Sequence, residues 1–209
     1  MSRGNGMALF PMFLKLEGRN CVVVGAGKVG EQKIRSLLLS GASVSVIAPW
    51  ATGAVVEWAQ AGVITWEARW FALSDLARAF LVIAATSSKE LNHVVFEEAQ
   101  RQGILCNAVD DPEHCDFYFP SVVRRGRFQI AISTGGLSPA LAQRLRRELE
   151  RSFPAEYAGL VDGLGEERKR LFAGELNPEL RRRRLHSLAG REAVEARRSE
   201  LLKRRRGHS

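Results

Sequence analysis

Cys21-Val-Val-Val-Gly-Ala-Gly-Lys-Val-Gly30 decides how this chain is read. A short β-branched run, apolar in every residue, suits a strand buried on both faces. The spacing G-x-G-x-x-G follows without a gap, and Val29, Ile34, Leu37 and Leu38 then recur at helical intervals from about Lys28 to Ser40, with Gly41 just beyond. Strand, glycine turn and helix in that order give the motif its meaning. The first glycine permits a tight turn, the second lets a pyrophosphate approach the backbone, and the third lets helix and strand pack closely, while the helix N-terminus offers N–H groups to phosphate. A dinucleotide is the expected ligand, with Gly25, Gly27, Lys28, Val29 and Gly30 as its contacts.

Outward from this motif the chain alternates strand and helix, the pattern of a parallel sheet covered by helices. Val44–Ile47 reads as a second strand closed by Pro49, residues 52–60 as a helix, Val63–Glu67 as a third strand, and Phe80–Ala84 as a fourth. A helix from about Lys89 to Arg101 stops at Gly103, and Ile104–Asn107 is a fifth strand. The acidic residue that usually holds the adenosine ribose, about 20 residues past the glycines, is missing. Ile47-Ala-Pro49-Trp50 stands there, so Pro49 and Trp50 become candidate cofactor contacts and the choice between NAD and NADP stays open. At the end of the fourth strand, Thr86 and Ser87 could bond the cofactor; equally, this segment could only cap the next helix.

Beyond Asp111-Pro112 the grammar changes. Phe117–Val123 and Arg127–Ser133 read as an antiparallel hairpin joined by Arg124-Arg125-Gly126, and Ser138-Pro139 starts a helix as N-cap and first residue. From Pro154 everything looks helical and charged, with Gly163, Gly165, Asn177-Pro178 and Gly190 as breaks and the last residues, 203–209, frayed. The expected division is residues 1–113, 114–150 and 151–209. Of the net charge of +8, a surplus of 7 lies between Arg144 and Ser209, where 18 Lys and Arg face 11 Asp and Glu. Such a tail suits nucleic acid, an acidic membrane or an anionic small molecule, the commonest case being solvated helix faces. No run of about 18 uncharged apolar residues occurs, and the first six residues lack the apolar core of a secretory signal, so a cytoplasmic protein with no membrane partner is expected. Cys21, Cys106 and Cys115 are read as thiols, the first two as core packing.

Asn107-Ala-Val-Asp110-Asp-Pro112 and His114-Cys-Asp-Phe-Tyr-Phe-Pro-Ser121 put several chemically capable groups just past the fifth strand. Asp110 has a bland reading, a turn residue before Asp-Pro. His114 beside Cys115 suggests a metal, but adjacent side chains diverge and no second His/Cys pair has structural-zinc spacing, so no metal site is expected.

These residues carry a resemblance. Leu9–Leu16, Val24–Gly30, Ile83–Thr86, Cys106–Asp110, Phe119–Ser121 and Ser133–Pro139, in this order, resemble the precorrin-2 dehydrogenase and sirohydrochlorin ferrochelatase family, found alone or as the N-terminal part of siroheme synthase. The likeness runs from about Leu9 to Leu149. It implies an α/β fold, namely a Rossmann-like parallel sheet, then a small hairpin dimerisation region and a helical C-terminal domain, assembled as a homodimer. It also implies oxidation of precorrin-2 to sirohydrochlorin with NAD, Asp110 being the base, and ferrous iron as a possible co-substrate of a chelatase step. Asn107, His114, Ser121, Arg124, Thr134 and Gly135 are then the candidate contacts to a tetrapyrrole rimmed with carboxylates, which Arg binds in bidentate fashion. A rival reading is a non-catalytic NAD sensor whose basic tail binds nucleic acid. It lacks a recognisable DNA-binding motif. A short-chain dehydrogenase is a third reading, but its Tyr-x-x-x-Lys pair is absent: Val122 and Val161 stand four residues after Tyr118 and Tyr157.

Overall fold

The computed structural model describes residues 9–174 and 177–206. The first six residues, read above for a signal, and the end of the tail from 207 to 209 lie outside the described residues. Two compact units meet in sequence at Phe119 and Pro120.

The first unit holds β1 (Asn20–Ala26), α1 (Lys28–Leu38), β2 (Ser43–Ala51), α2 (Gly53–Gln60), β3 (Thr65–Glu67), β4 (Leu81–Ala84), α3 (Lys89–Gln102) and β5 (Leu105–Ala108). All five strands are parallel, in the order β3-β2-β1-β4-β5. The order reverses at β1 and β4, so the crevice outside their carboxyl ends is the place where such sheets take ligands. Alternate residues of β1 explain its unbroken apolar run. Cys21 and Val23 pack with Ile34 and Leu37 of α1 on one face, while Val22 and Val24 pack with Val95 and Ala99 of α3 on the other. Each such fully buried Val or Ile contributes about 1.5–3 kcal/mol over its exposed state, which fixes the sheet under the site.

Several boundaries differ from the sequence reading. Pro49 does not close the second strand. β2 runs on to Ala51, because β3 pairs only with Ser45–Ile47 and leaves Pro49 no ladder bond to donate on that side. On its other side Val24 pairs with Ile47 but Ala26 with Ala51, and Pro49 and Trp50 fall in the resulting excursion. The third strand is shorter than expected, since the N–H groups of Val63 and Ile64 turn back to the carbonyl of Trp58. α1 stops at Leu38, where Ser40 and Gly41 bond to the Leu37 and Leu38 carbonyls. α3 has both expected caps: the Ser88 hydroxyl accepts from the Leu91 N–H at 3.1 Å, and Gly103 closes the helix at φ +69.

The second unit pairs β6 (Ser121–Arg125) with β7 (Phe128–Ile132) in antiparallel register, followed by α4 (Pro139–Ser152), α5 (Tyr157–Gly174), α6 (Pro178–Leu188) and α7 (Arg191–Arg206). The hairpin turn is Gly126-Arg127, with Gly126 at φ +56, so Arg124 and Arg125 stand on β6 instead of in the turn. Gly163 and Gly165 lie inside α5 and break nothing, each costing about 1 kcal/mol that packing offsets. Asn177 and Pro178 act as read, the Asn177 carboxamide oxygen accepting from Glu179 and Leu180 at 2.9 and 3.1 Å. Phe128, Phe153 and Tyr157 form an aromatic trio with centroids 5.1–5.2 Å apart, and Val123 of β6 and Leu160 of α5 are buried in the same unit. Among the described residues no helix is long and apolar enough to cross a membrane.

Candidate active site

The glycine turn shows why each glycine stands where it does. Gly25 has φ +101, and a Cβ there would overlap the Ala85 carbonyl oxygen and lie 2.7 Å from its carbon. A Cβ at Gly30 would overlap the Gly25 carbonyl. Both positions are closed by backbone, so these two glycines let β1, β4 and α1 meet. Gly27 is different: it has φ −72, which any residue adopts, and a Cβ would meet nothing within 4 Å. The protein's own packing therefore does not require Gly27. The space above it, at an α1 N-terminus with no side-chain cap, fits the close approach of a dinucleotide pyrophosphate to N–H groups of Lys28, Val29 and Gly30.

Around this turn Trp50 is 70% exposed and meets Trp70 edge to face at 5.6 Å. Pro49 precedes it, and the Ala48 carbonyl is taken by the Trp66 indole N–H at 3.0 Å. Thr86 hydroxyl lies 2.7 Å from Asn92 Oδ1 and 2.9 Å from the Ser88 carbonyl. That hydroxyl is spent within its own loop, and Ser88 is the helix cap. Ser87 is exposed.

Past β5 the chain folds back on the strand. The N–H of Asp116 donates to the Cys106 carbonyl, and its carboxylate accepts from the Cys106 N–H at 2.9 Å and from Gln100 at 2.8 Å. Buried Asn107 donates to the Phe117 carbonyl at 2.8 Å and lies 3.3 Å from Cys115 Sγ. Its amide thus orients the returning loop. Burial pushes the thiols of Cys21 and Cys106 up to about 11 and about 12, as expected of core packing. Cys115 turns its sulfur to the Ala108 and Asp111 carbonyls, both at 3.1 Å. At the tip of the loop Asp110 is exposed and holds φ +61, a left-handed conformation that Asp tolerates better than most residues. His114 is engaged through both ring nitrogens, Nδ1 to Asp111 at 2.7 Å and Nε2 to His93 at 3.1 Å.

A profile of the family described as "Putative NAD(P)-binding" matches residues 12–121. The chain belongs to this NAD(P)-binding family. A second profile, sirohaem biosynthesis protein central, matches residues 125–152. The siroheme synthase of Nitrosococcus oceani is 42% identical over 154 residues, 74% of this chain and 33% of that protein. That of Methylococcus capsulatus is 39% identical over 176 residues, 84% of this chain and 37% of that protein. The chain spans about a third of the length of these curated relatives. A solved structure titled SirC, precorrin-2 dehydrogenase, superposes with a TM-score of 0.77 at 24% identity, over 94% of this chain and 98% of that one, so the two share a fold. The resemblance read from the motifs holds at the level of the family.

In this NAD(P)-binding chain the sequence reading passed over Lys33. Its ammonium stands 3.7 Å from the centre of the Phe119 ring, and burial lowers its pKa while Cys115 and Asp110 pull the other way. Helical periodicity held the signal. Gly30, Lys33, Ile34 and Leu37 share the i, i+3, i+4, i+7 stripe that faces the sheet, and a lysine on such a stripe is out of place unless something meets it.

In the second unit, Arg125 donates to the Phe153 and Glu150 carbonyls at 2.8 and 3.1 Å, closing the end of α4. Arg127 lies 3.6 Å from Asp162. Arg124 is exposed, and among the described residues its guanidinium makes no ion pair or hydrogen bond. The Thr134 hydroxyl accepts the Ser138 N–H at 3.1 Å, Gly135 has φ +62, and Ser121 opens β6 opposite Ile132.

Proposed function

We propose that this chain oxidises precorrin-2 to sirohydrochlorin with NAD as acceptor, the observation carrying the reading being Asp110, set at φ +61 past the carboxyl end of β5 and within electrostatic reach of half-buried Lys33. An exposed carboxylate kept in a sparsely populated conformation, on the side of the sheet that opens at the glycine turn, has the mark of a functional position. The siroheme synthase relatives supply the substrate class.

The reaction removes a hydride and a proton. A bound nicotinamide supplies the hydride acceptor. Asp110 takes the proton. The amides of Lys28, Val29 and Gly30 hold the pyrophosphate over open Gly27, and Pro49, Trp50 and Ser87 flank the nucleotide, with Thr86 shaping the loop through Asn92. NAD is favoured over NADP because no basic side chain stands at Ile47–Ala51 to meet a 2′-phosphate. Lys33 presents its ammonium to a substrate carboxylate. In the second unit Arg124 is the guanidinium suited to the same chemistry, with Ser121, Thr134 and Gly135 as further contacts. Ferrous iron insertion is a second step open to the same carboxylate, which would accept one of the two pyrrolic protons that leave as the ion enters while solvent takes the other, and the working assembly is a homodimer, testable by light scattering.

Anaerobic precorrin-2 followed by absorbance tests this reading. Sirohydrochlorin should form with wild-type protein and NAD, more slowly with NADP, and should fall by at least about 100-fold in Asp110→Asn, the scale of general-base catalysis, with NAD binding retained. Undiminished turnover in that variant would move the base elsewhere. Absence of turnover by folded, NAD-binding wild type would sink the proposal.

A further inference from the structure

The acid that ordinarily holds the adenosine ribose stands at the end of the second strand, where this chain carries Ile47-Ala48-Pro49-Trp50. The fold brings a carboxylate to the same place from another element. Thr52, just past β2, donates its N–H to the Ala26 carbonyl at 3.0 Å, and Glu31, in the first turn of α1, donates its N–H to the Gly27 carbonyl at 2.9 Å. Both residues are thus anchored on the glycine turn. Between them the Thr52 hydroxyl donates to Glu31 Oε2 at 2.9 Å. Thr52 is also the N-cap of α2, where a threonine oxygen ordinarily accepts from the first helix N–H groups, yet it makes no such bond. On the other side Glu31 Oε1 accepts from Arg35 at 3.0 Å, and the Arg35 guanidinium lies 5.0 Å from the centre of the Trp58 ring. The bond from Thr52, and after it the one from Arg35, holds the Glu31 carboxyl below the ordinary carboxylate range. An ionised carboxylate has about four acceptor sites. Thr52 and Arg35 take one each, which leaves room for hydroxyl donors.

We propose that Glu31 reads the adenosine ribose, accepting its 2′-hydroxyl in place of the missing strand-end acid, with Thr52 and Arg35 as the residues that position the carboxylate. The inference rests on the dinucleotide reading of the glycine turn and adds to it the residue that selects NAD. A ribose hydroxyl donates to a carboxylate, whereas the 2′-phosphate of NADP is an anion that brings no donor and meets a like charge. Arg35 is the kind of side chain that takes such a phosphate. Its guanidinium is already held by Glu31 and by the face of Trp58. Glu31 therefore acts twice, once by meeting the hydroxyl of NAD and once by occupying the arginine that NADP would need.

Calorimetric titration of the whole chain with NAD and NADP tests this without any turnover. Wild type should bind NAD more tightly. Glu31→Gln keeps the shape of the side chain and an oxygen for Thr52, and it should bind NAD about 10-fold more weakly, the scale of one hydrogen bond to a charged acceptor. It should also bind NADP more tightly than wild type does, and adding Arg35→Gln should remove that gain while the loss for NAD remains. ADP and 2′-deoxy-ADP titrated into wild type read the same hydroxyl with no substitution at all, and the deoxy analogue should bind about 10-fold more weakly. Equal binding of ADP and 2′-deoxy-ADP, or a ratio of NAD to NADP affinity left unchanged by Glu31→Gln, overturns the assignment of Glu31 and leaves the oxidation of precorrin-2 standing. Failure of wild type to bind either dinucleotide would sink the cofactor reading along with it.

Discussion

Three glycines seven residues or fewer apart do different work, and alanine separates them. At Gly25 the methyl group would enter the Ala85 backbone and the residue would have to keep φ +101, a conformation costing about 1–3 kcal/mol for a side-chain-bearing residue before any overlap is counted. At Gly30 it would enter the Gly25 carbonyl. Gly25→Ala and Gly30→Ala should each lower the unfolding midpoint measurably even without nucleotide. Gly27→Ala should unfold like wild type, or slightly later as the unfolded chain loses freedom. It should nevertheless bind nucleotide about 10-fold or more weakly, a loss of about 1.4 kcal/mol. Denaturation and nucleotide titration of the three variants check this, and equal destabilisation by all three would mean that Gly27 serves packing alone.

At the scale of an element, α3 carries a carboxylate whose ionisation supports the helix. Glu98 is buried on the side facing the sheet yet paired: Arg101 donates to it at 2.6 Å, Gln102 donates to the same group, and together they hold its pKa at about 2 against the ordinary 4.5. A carboxylate with a depressed folded pKa contributes stability that is complete above its unfolded pKa and disappears as pH falls through the folded one. The difference in unfolding midpoint between wild type and Glu98→Gln should thus be constant above about pH 5 and shrink steadily toward pH 2. A gap that persists at the acid end would assign the effect to packing of the side chain and not to its charge. Local patterns made much of this unit legible. β1, α1, α3 and both caps of α3 follow from apolar period, Ser88 and Gly103. What escaped depended on partners far along the chain: Pro49 survives inside β2 only because β3 is three residues long, Gly163 and Gly165 are carried by the packing of α5, and Arg124 reached the strand because β6 runs on two residues past Val123, to Arg125. The same holds for the site. The glycines announced themselves, but His93 lies 21 residues before His114, and Lys33 comes within electrostatic reach of Asp110 only because β5 pairs with β4 at the edge of the sheet.

At the scale of the molecule, composition is divided between the two units in a way that makes their unfolding separately visible. All four tryptophans, Trp50, Trp58, Trp66 and Trp70, belong to the first unit, with the glycine turn. Among the described residues the second unit contributes four of the seven α-helices, including α5 of 18 residues and α7 of 16. Part of its positive charge is laced into helix-spanning pairs, such as Lys169 with Glu166, Arg170 with Glu167 and Arg191 with Glu195, while Arg168 and Arg181 stand over the Phe172 ring. Exposed pairs of this kind contribute little each, about 0–1 kcal/mol, and less in salt. Nucleotide bound only by the folded first unit adds about 2.7 kcal/mol to it at a hundred times its dissociation constant. Tryptophan fluorescence during denaturation should therefore shift with saturating NAD while loss of helical circular dichroism, weighted to the second unit, shifts less. Salt should move the circular-dichroism midpoint and leave the fluorescence midpoint nearly fixed. Coincident curves that move together under both additions would show that two cores, each sufficient to define a compact unit, unfold as one cooperative body.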